Sequence, residues 1–245
     1  MALFKCDLHI HSIASGHAFN TIDECARYSH DNHYALIGIS DHGPNMEGAP
    51  HMGYFEMMYR LPRHNQGVSM IYGCEANILS EYGDVDISDD ILQKLDYTMA
   101  GLHKRTQYVD RGEMNNTAAI VNTIKSGKID IITHPVSWNF RVNVSKIVEA
   151  AQYNKVLLEA NKTILVEAIE NDRQETVQQY KELLKLSREA GVEIIWGSDA
   201  HHVTEMEISS SQLQSLSEAY DFDFESTINQ RVDELLQFIQ RRKYR

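Results

Sequence analysis

The stretch CDLHIHSIASGH, residues 6–17, places three histidines within nine residues. His9 and His11 are separated by one position. On an extended backbone their side chains point to the same face, about 7 Å apart. Two neighbouring imidazoles can clamp a divalent cation, while HxH alone reads equally well as a pair of solvated strand histidines. The other ligand-type residues decide. His42 stands in GISDHG, Glu75 in GCEAN, His103 in AGLH, His134 in ITHP, and Asp199 with His201 in GSDAH. With His17 they make nine residues, seven His with one Glu and one Asp. Tetrahedral or five-coordinate sites take three or four protein ligands each, so this set suits two or three metal ions sharing a bridging carboxylate.

Such residues need a scaffold that gathers them. Seven apolar runs read as strands: FKCDLHI, ALIGIS, SMIYGCEANI, YTMAGLH, IDIITH, KVLLEAN and EIIWGSD. Helices are predicted near 20–33, 53–64, 115–126, 144–153, 171–190, 206–220 and 228–242, with SEYGDVDIS as a small hairpin. Apolar spacings of three and four support helix at 117–125 and 176–186, and Gly127 and Gly191 fall where helices stop. Alternating strands and helices imply a mainly parallel sheet under a helical cover. Seven strands in one compact length favour an irregular closed α/β barrel over an open doubly wound sheet. In a barrel, every member of the set except His17 falls at a strand's C-terminal end, where βα loops build active sites. Six strands contribute, and scattered structural histidines would not choose the same end of each.

At 245 residues and 42% hydrophobic content, the chain can bury a sizeable core as one domain over 1–245. It has no internal repeat, no low-complexity tract and no apolar run long enough to cross a bilayer, and MALFKCDL lacks a signal-peptide core. Cys6, Cys25 and Cys74 are isolated and read as reduced thiols, so the expected location is cytoplasmic. A net charge of −12 disfavours nucleic-acid partners, whose phosphates are gripped by Lys and Arg. Bound cations would reverse that sign locally for a small anionic substrate. No GxGxxG or GxxxxGK[ST] follows a strand, which leaves dinucleotide and P-loop binding without support. The basic RRKYR end reads as a solvated helix terminus.

Taken in order, DLHIHS, SDHG, GCEAN, GLH, THP and GSDAH resemble the successive motifs of the PHP (polymerase and histidinol phosphatase) superfamily of metal-dependent phosphoesterases, across residues 7–201. SGHAFNT, DHGPNMEGAPH, LPR and GCEANI bring the resemblance closest to its YcdX-type phosphatases. His17 stands where many members carry Asp in a YSDG-like loop, which agrees with that subgroup. The resemblance implies a distorted (β/α)7, TIM-like barrel holding a trinuclear centre of divalent transition-metal ions. It implies His9, His11, Glu75 and Asp199 at a first ion, Glu75 bridging to His103 and His134 at a second, and His17, His42 and His201 at a third. The implied activity is hydrolysis of small phosphate monoesters. In such a centre a water shared between cations is acidified toward neutrality, and charge on the leaving oxygen is stabilised.

Glu75 and Asp199 are the catalytic candidates, the first as bridge and the second chiefly as ligand. Imidazole-rich ligation suits zinc first, with manganese or iron as alternatives, better than magnesium or calcium. Arg63 in LPR, Lys104 and Arg105 after His103, and Arg141 in SWNFR are candidates for the substrate phosphate, each also readable as a solvated charge. Trp138 and Phe140 beside Arg141 are candidates for an apolar wall. Asp41 alternates away from the centre, in a supporting or structural role. His30 and His33 read as surface residues, His51 and His64 as positions within reach of a substrate, and His202 as pointing elsewhere. The expected partner is a small phosphorylated metabolite, with no nucleic acid or membrane, and the oligomeric state stays open. Competing readings are a histidinol phosphatase or nuclease of the same superfamily and, disfavoured by the open barrel face, a non-enzymatic metal-binding or regulatory module.

Overall fold

Short aliphatic runs without helical period become strands, and most are buried on both faces, as parallel strands under a helical cover must be. A computed structural model describes residues 2–242. Residues 243–245 of the RRKYR end, and Met1 of the expected 1–245 domain, lie outside the described residues. The strands are β1 (Cys6–Ile10), β2 (Leu36–Ile39), β3 (His64–Asn65), β4 (Val68–Tyr72), β5 (Glu75–Asn77), β6 (Met99–Gly101), β7 (Ile131–Ile132), β8 (Leu157–Asn161) and β9 (Ile194–Gly197). β1, β2 and β4 pair in parallel, with the short β3 antiparallel to β4. β5 to β9 pair in parallel in chain order.

Two isolated parallel bridges make a ring of these two sheets. His42 bridges to Glu75 and Ile10 to Ala200, and the His11 amide donates to the Ala200 carbonyl at 2.9 Å. The result is a distorted, TIM-like α/β barrel of seven parallel strand positions. The run expected as one strand, SMIYGCEANI, is broken at Gly73–Cys74 into β4 and β5, so it pairs with β2 through its first half and β6 through its second.

Helices α1 (Ile22–Asp31), α2 (Met52–Glu56), α3 (Asp89–Leu92), α4 (Gly112–Lys125), α5 (Val144–Asn154), α6 (Lys162–Glu170), α7 (Gln174–Ala190), α8 (Ser210–Tyr220) and α9 (Val232–Arg242) cover the barrel. The helix expected at 53–64 is only α2 and a 3-10 turn, because β3 follows at once. α6 is an addition: the Asn161 side chain accepts from the Ile164 amide at 3.0 Å and starts a helix where the sequence reads as strand end. SEYGDVDIS forms a minimal hairpin, with Ile78 bridged to Val85. No helix among the described residues is long and apolar enough to cross a membrane.

The barrel interior is a core of its own. Cys6, Leu8, Leu36, Tyr97, Met99, Ile131, Leu157 and Ile195 pack together, and Ile228, Leu235 and Ile239 from the C-terminal segment close it. Apolar filling at this end confines the polar residues to the other. Between Asp7 and Ile10 the β1–β2 register shifts, so Cys6 and Leu8 face the interior core while Ile10 joins the outer one. A bulge of this kind changes which side chains point inward, and here it turns His9 and His11 to the barrel's mouth.

Asn229 ties the seam between the first and last strands. Its Nδ2 donates to the carbonyls of Cys6 and Trp196, both at 2.9 Å, and its Oδ1 accepts from the Trp196 amide at 2.7 Å. It is fully buried, and Ala there would leave three backbone groups without partners. Asn229→Ala is expected to destabilise the metal-replete protein by about 3 kcal/mol, at about 1 kcal/mol per buried bond. A urea melt with an unchanged midpoint would show that the seam is held elsewhere.

Candidate metal centre

All nine ligand-type residues meet at the C-terminal mouth of the barrel. Glu75 lies in the middle, 1% exposed. Its Oε1 is 3.0 Å from Nε2 of both His103 and His134 and 3.3 Å from His9 Nε2. Its Oε2 is 2.9 Å from His42 Nδ1 and 3.5 Å from His11 Nε2. Asp199 Oδ1 is 3.3 Å from His9 Nε2 and 3.2 Å from His11 Nε2. His17 stacks its ring between those of His42 and His201, with centroids at 5.0 and 4.9 Å.

These separations fit a metal site. Donors around a tetrahedral zinc with bonds of 2.0–2.1 Å stand about 3.3 Å apart. His9 Nε2, His11 Nε2, His42 Nδ1 and Glu75 Oε2 are buried without a hydrogen-bond partner, and such orphans call for an ion or water. Three groups have ligand atoms within 4.8 Å of one another: His9, His11 and Asp199; His42, Glu75 and His103; His11, His42 and His201. His42 therefore faces Glu75 as well as His201, and is not confined to the group that the resemblance gives it.

Supporting side chains fix which nitrogen of His9 and His11 points inward. Glu159, fully buried on β8, contacts His9 Nδ1 at 2.6 Å through Oε1 and accepts the His134 amide at 2.7 Å through Oε2. Asp41 accepts from Ser12, from Ser15 Oγ at 2.7 Å and from Tyr54 OH at 2.6 Å. Because the Ser15 hydroxyl donates to Asp41, its lone pairs receive His11 Nδ1–H at 3.0 Å and the His42 amide at 3.1 Å. These bonds hold a proton on Nδ1 of His9 and of His11 and leave their Nε2 free, whereas His42 turns Nδ1 toward Glu75. His134 and Asp199 adopt positive φ, 28° and 57°, a strain of about 1–3 kcal/mol each that the surrounding contacts hold in place.

Electrostatics favour ligation. Burial, reinforced by His201, lowers His11 to about 4, and burial with neighbouring His11 lowers His42 to about 3. Both rings are thus neutral at pH 7 and keep a lone pair. Burial opposes the charge on Glu75, but the fields of His103 and His9 outweigh it and hold the carboxyl well below the usual range. Asp199 is likewise held low, His9 and His11 overcoming its burial.

The cationic candidates fare differently. Arg63 is paired with Asp96, just ahead of β6 and away from the His103 end of that strand, and lies 5.4 Å over the Tyr72 ring. Arg141 is divided between Glu113 and Glu175, each at 3.1 Å. Neither is brought to the cluster, because nearby carboxylates claim both. Lys104 is exposed on the loop that leaves His103. His51 caps α2, accepting from Gly53 N, and His202 caps the following 3-10 turn, so both are spent on local structure. His64 is exposed on β3, and His30 and His33 are exposed.

Glu159 is the residue that sequence reasoning missed, with Ser15 and Asn161 beside it. LLEAN repeats the EAN of GCEAN at the end of the one barrel strand that contributed no ligand, and that echo was the available signal.

Comparison with known proteins agrees with this geometry. The PHP domain family model matches residues 7–244. A protein of Clostridium novyi (strain NT) named "Probable phosphatase" is 34% identical over 237 residues, covering 96% of this chain and 94% of its own. Another so named, from Shewanella piezotolerans (strain WP3 / JCM 13877), is 33% identical over 239 residues, with 98% and 94% covered. Histidinol phosphate phosphatase from Lactococcus lactis, solved with zinc, L-histidinol and phosphate, shares the fold at a TM-score of 0.61, with 14% identity and 89% and 94% covered. The ordered motifs, the barrel they close and these relatives make the chain a member of the PHP domain family, and within it a phosphatase.

Proposed function

We propose that this phosphatase hydrolyses small phosphate monoesters at a trinuclear centre of divalent transition-metal ions. The observation that carries the reading is Glu75, whose two carboxylate oxygens face five imidazole nitrogens from opposite sides. Bound there, the ions supply Lewis acidity and lower the pKa of a water toward neutrality. The chain does the rest. His9, His11, Glu75 and Asp199 hold one position, Glu75 with His103 and His134 a second, and His17, His42 and His201 a third, His42 also facing Glu75. Zinc suits this imidazole-rich set first, manganese and iron next. Lys104 is assigned to the substrate phosphate, from its exposed place beside His103. The net charge of −12 supports a small anionic metabolite over a nucleic acid. The buried thiols Cys6, Cys25 and Cys74 support a cytoplasmic location.

Three measurements test the reading. p-Nitrophenyl phosphate turnover is expected to vanish with a chelator and return with zinc or manganese, in protein carrying two to three ions per chain by elemental analysis. Full activity in verified metal-free protein would overturn it.

Glu75→Gln replaces the shared charge with an amide, and two cations about 3.5–4 Å apart repel strongly without an anion between them. At least one ion should leave, and kcat should fall by about three orders of magnitude. His17→Ala should empty one position and leave the other two filled. Wild-type metal content and turnover in Glu75→Gln would sink the assignment.

Glu159→Gln should weaken metal affinity about 10–100-fold, the usual consequence of losing the partner behind a ligating histidine. Competition against a colorimetric chelator reads this directly. Wild-type affinity would reduce Glu159 to a packing role.

A further inference from the structure

A second polar cavity opens where the loop after β7 meets the turn between α6 and α7. Its volume is about 270 Å³, lined by Trp138, Arg141, Arg173, Glu175, Thr176 and Gln179 among others. Taking a water's share of the liquid as about 30 Å³, the space holds an oxyanion and its carbon stem, and falls short of a whole ligand. Trp138 sits at the tip of a turn closed by the Ser137–Phe140 bridge. The guanidinium of Arg173 lies 4.1 Å from the centre of the Trp138 ring. At that distance the ring face holds the guanidinium by a cation–π contact and leaves its N–H groups to read a carboxylate or phosphate.

The donors here are in excess. Arg173 Nε is buried and has no hydrogen-bond partner, and no ion pair among the described residues claims this side chain. Arg173 is also the N-cap of the 17-residue α7 and makes no side-chain cap, so the first amides of that helix add positive potential. The carboxylates nearby are bonded elsewhere, Glu175 and Glu113 to Arg141 and Asp172 to the Gln174 amide, which leaves Arg173 without a carboxylate partner beside the cavity. Trp138 is four residues from His134, hence at most about 14 Å away along extended chain.

We propose that this cavity is a subsite for a second anionic group of the substrate, a phosphate or carboxylate, held by Arg173 while the scissile phosphate sits at the metal centre. The substrate class is then a phosphomonoester bearing a second anion several carbons away. The inference rests on the phosphatase reading for its kinetic consequence and on the cavity alone for its binding consequence.

Two arms keep those apart. In the first, metal-replete enzyme is assayed with p-nitrophenyl phosphate and with α,ω-alkanediol bisphosphates of increasing length. One length should be preferred over the shorter ones by about tenfold in kcat/KM, the scale of a charged hydrogen bond, and Arg173→Met should remove that preference through KM. In the second, inorganic phosphate is titrated while tryptophan emission is followed. Trp196 is buried in the core, so the saturable change should come from Trp138 and disappear in Arg173→Met. Absence of turnover on every ester would sink the phosphatase reading and leave the emission arm to decide the subsite. No length preference in an active enzyme, or an emission change that survives Arg173→Met, overturns the proposal.

Discussion

The contact between one buried carboxylate and five imidazoles constrains everything else in this molecule. A glutamate with 1% exposure stays ionised only if opposite charge or strong donors surround it. Glu75 is surrounded by rings of which at least two, His11 and His42, are driven neutral by burial. With those two rings neutral, the carboxylate is only partly compensated by its neighbours, and divalent cations would complete the compensation. Binding such ions therefore stabilises the folded chain over the unfolded one, since the unfolded chain offers no preformed site.

Concentrating these groups also dictates what stands behind them. Glu159 occupies space that exists because residue 197 is glycine: a Cβ there would overlap Glu159 Oε1. Gly16, at φ 81°, presses its backbone against Gly48, and a Cβ at residue 16 would strike the Gly48 carbonyl. This contact fixes the loop one residue ahead of His17. The ligands are held by second partners, and the second partners by voids that only glycine leaves. A shift of a few tenths of an ångström in either layer reaches the metal positions.

Much of this was legible in the sequence, for a physical reason. Ligand residues at strand ends keep the strand's two-residue period, so HxH and DxH announce themselves, and Gly191 marks the end of α7 as a left-handed cap should. What was hidden depends on tertiary contacts. The break at Gly73–Cys74 lies inside a continuous apolar run, and α6 starts from an asparagine cap where the strand pattern had just ended. Glu159 looks like an ordinary acid in LLEAN until β8 is seen to place it under His9. Asn229 carries no motif at all, because its partners are backbone groups more than thirty residues away in sequence. Arg63 and Arg141 drew attention as cations on loops; the acids that neutralise them, Asp96, Glu113 and Glu175, are remote in sequence and close in space.

That neutralisation leads to the last step. Arg63 and Arg141 are spent on the chain's own carboxylates, so on the proposed reading the ions at the barrel mouth would supply the positive potential that draws the scissile phosphate. On that reading two divalent ions would bring four positive charges against the two carboxylates that face them, Glu75 and Asp199, with Glu159 behind His9, and a third ion would widen the excess. In a chain of net charge −12, that local excess would draw a small dianion to one place while a long polyanion meets repulsion around it. The same charge distribution would thus favour a small substrate at the proposed centre.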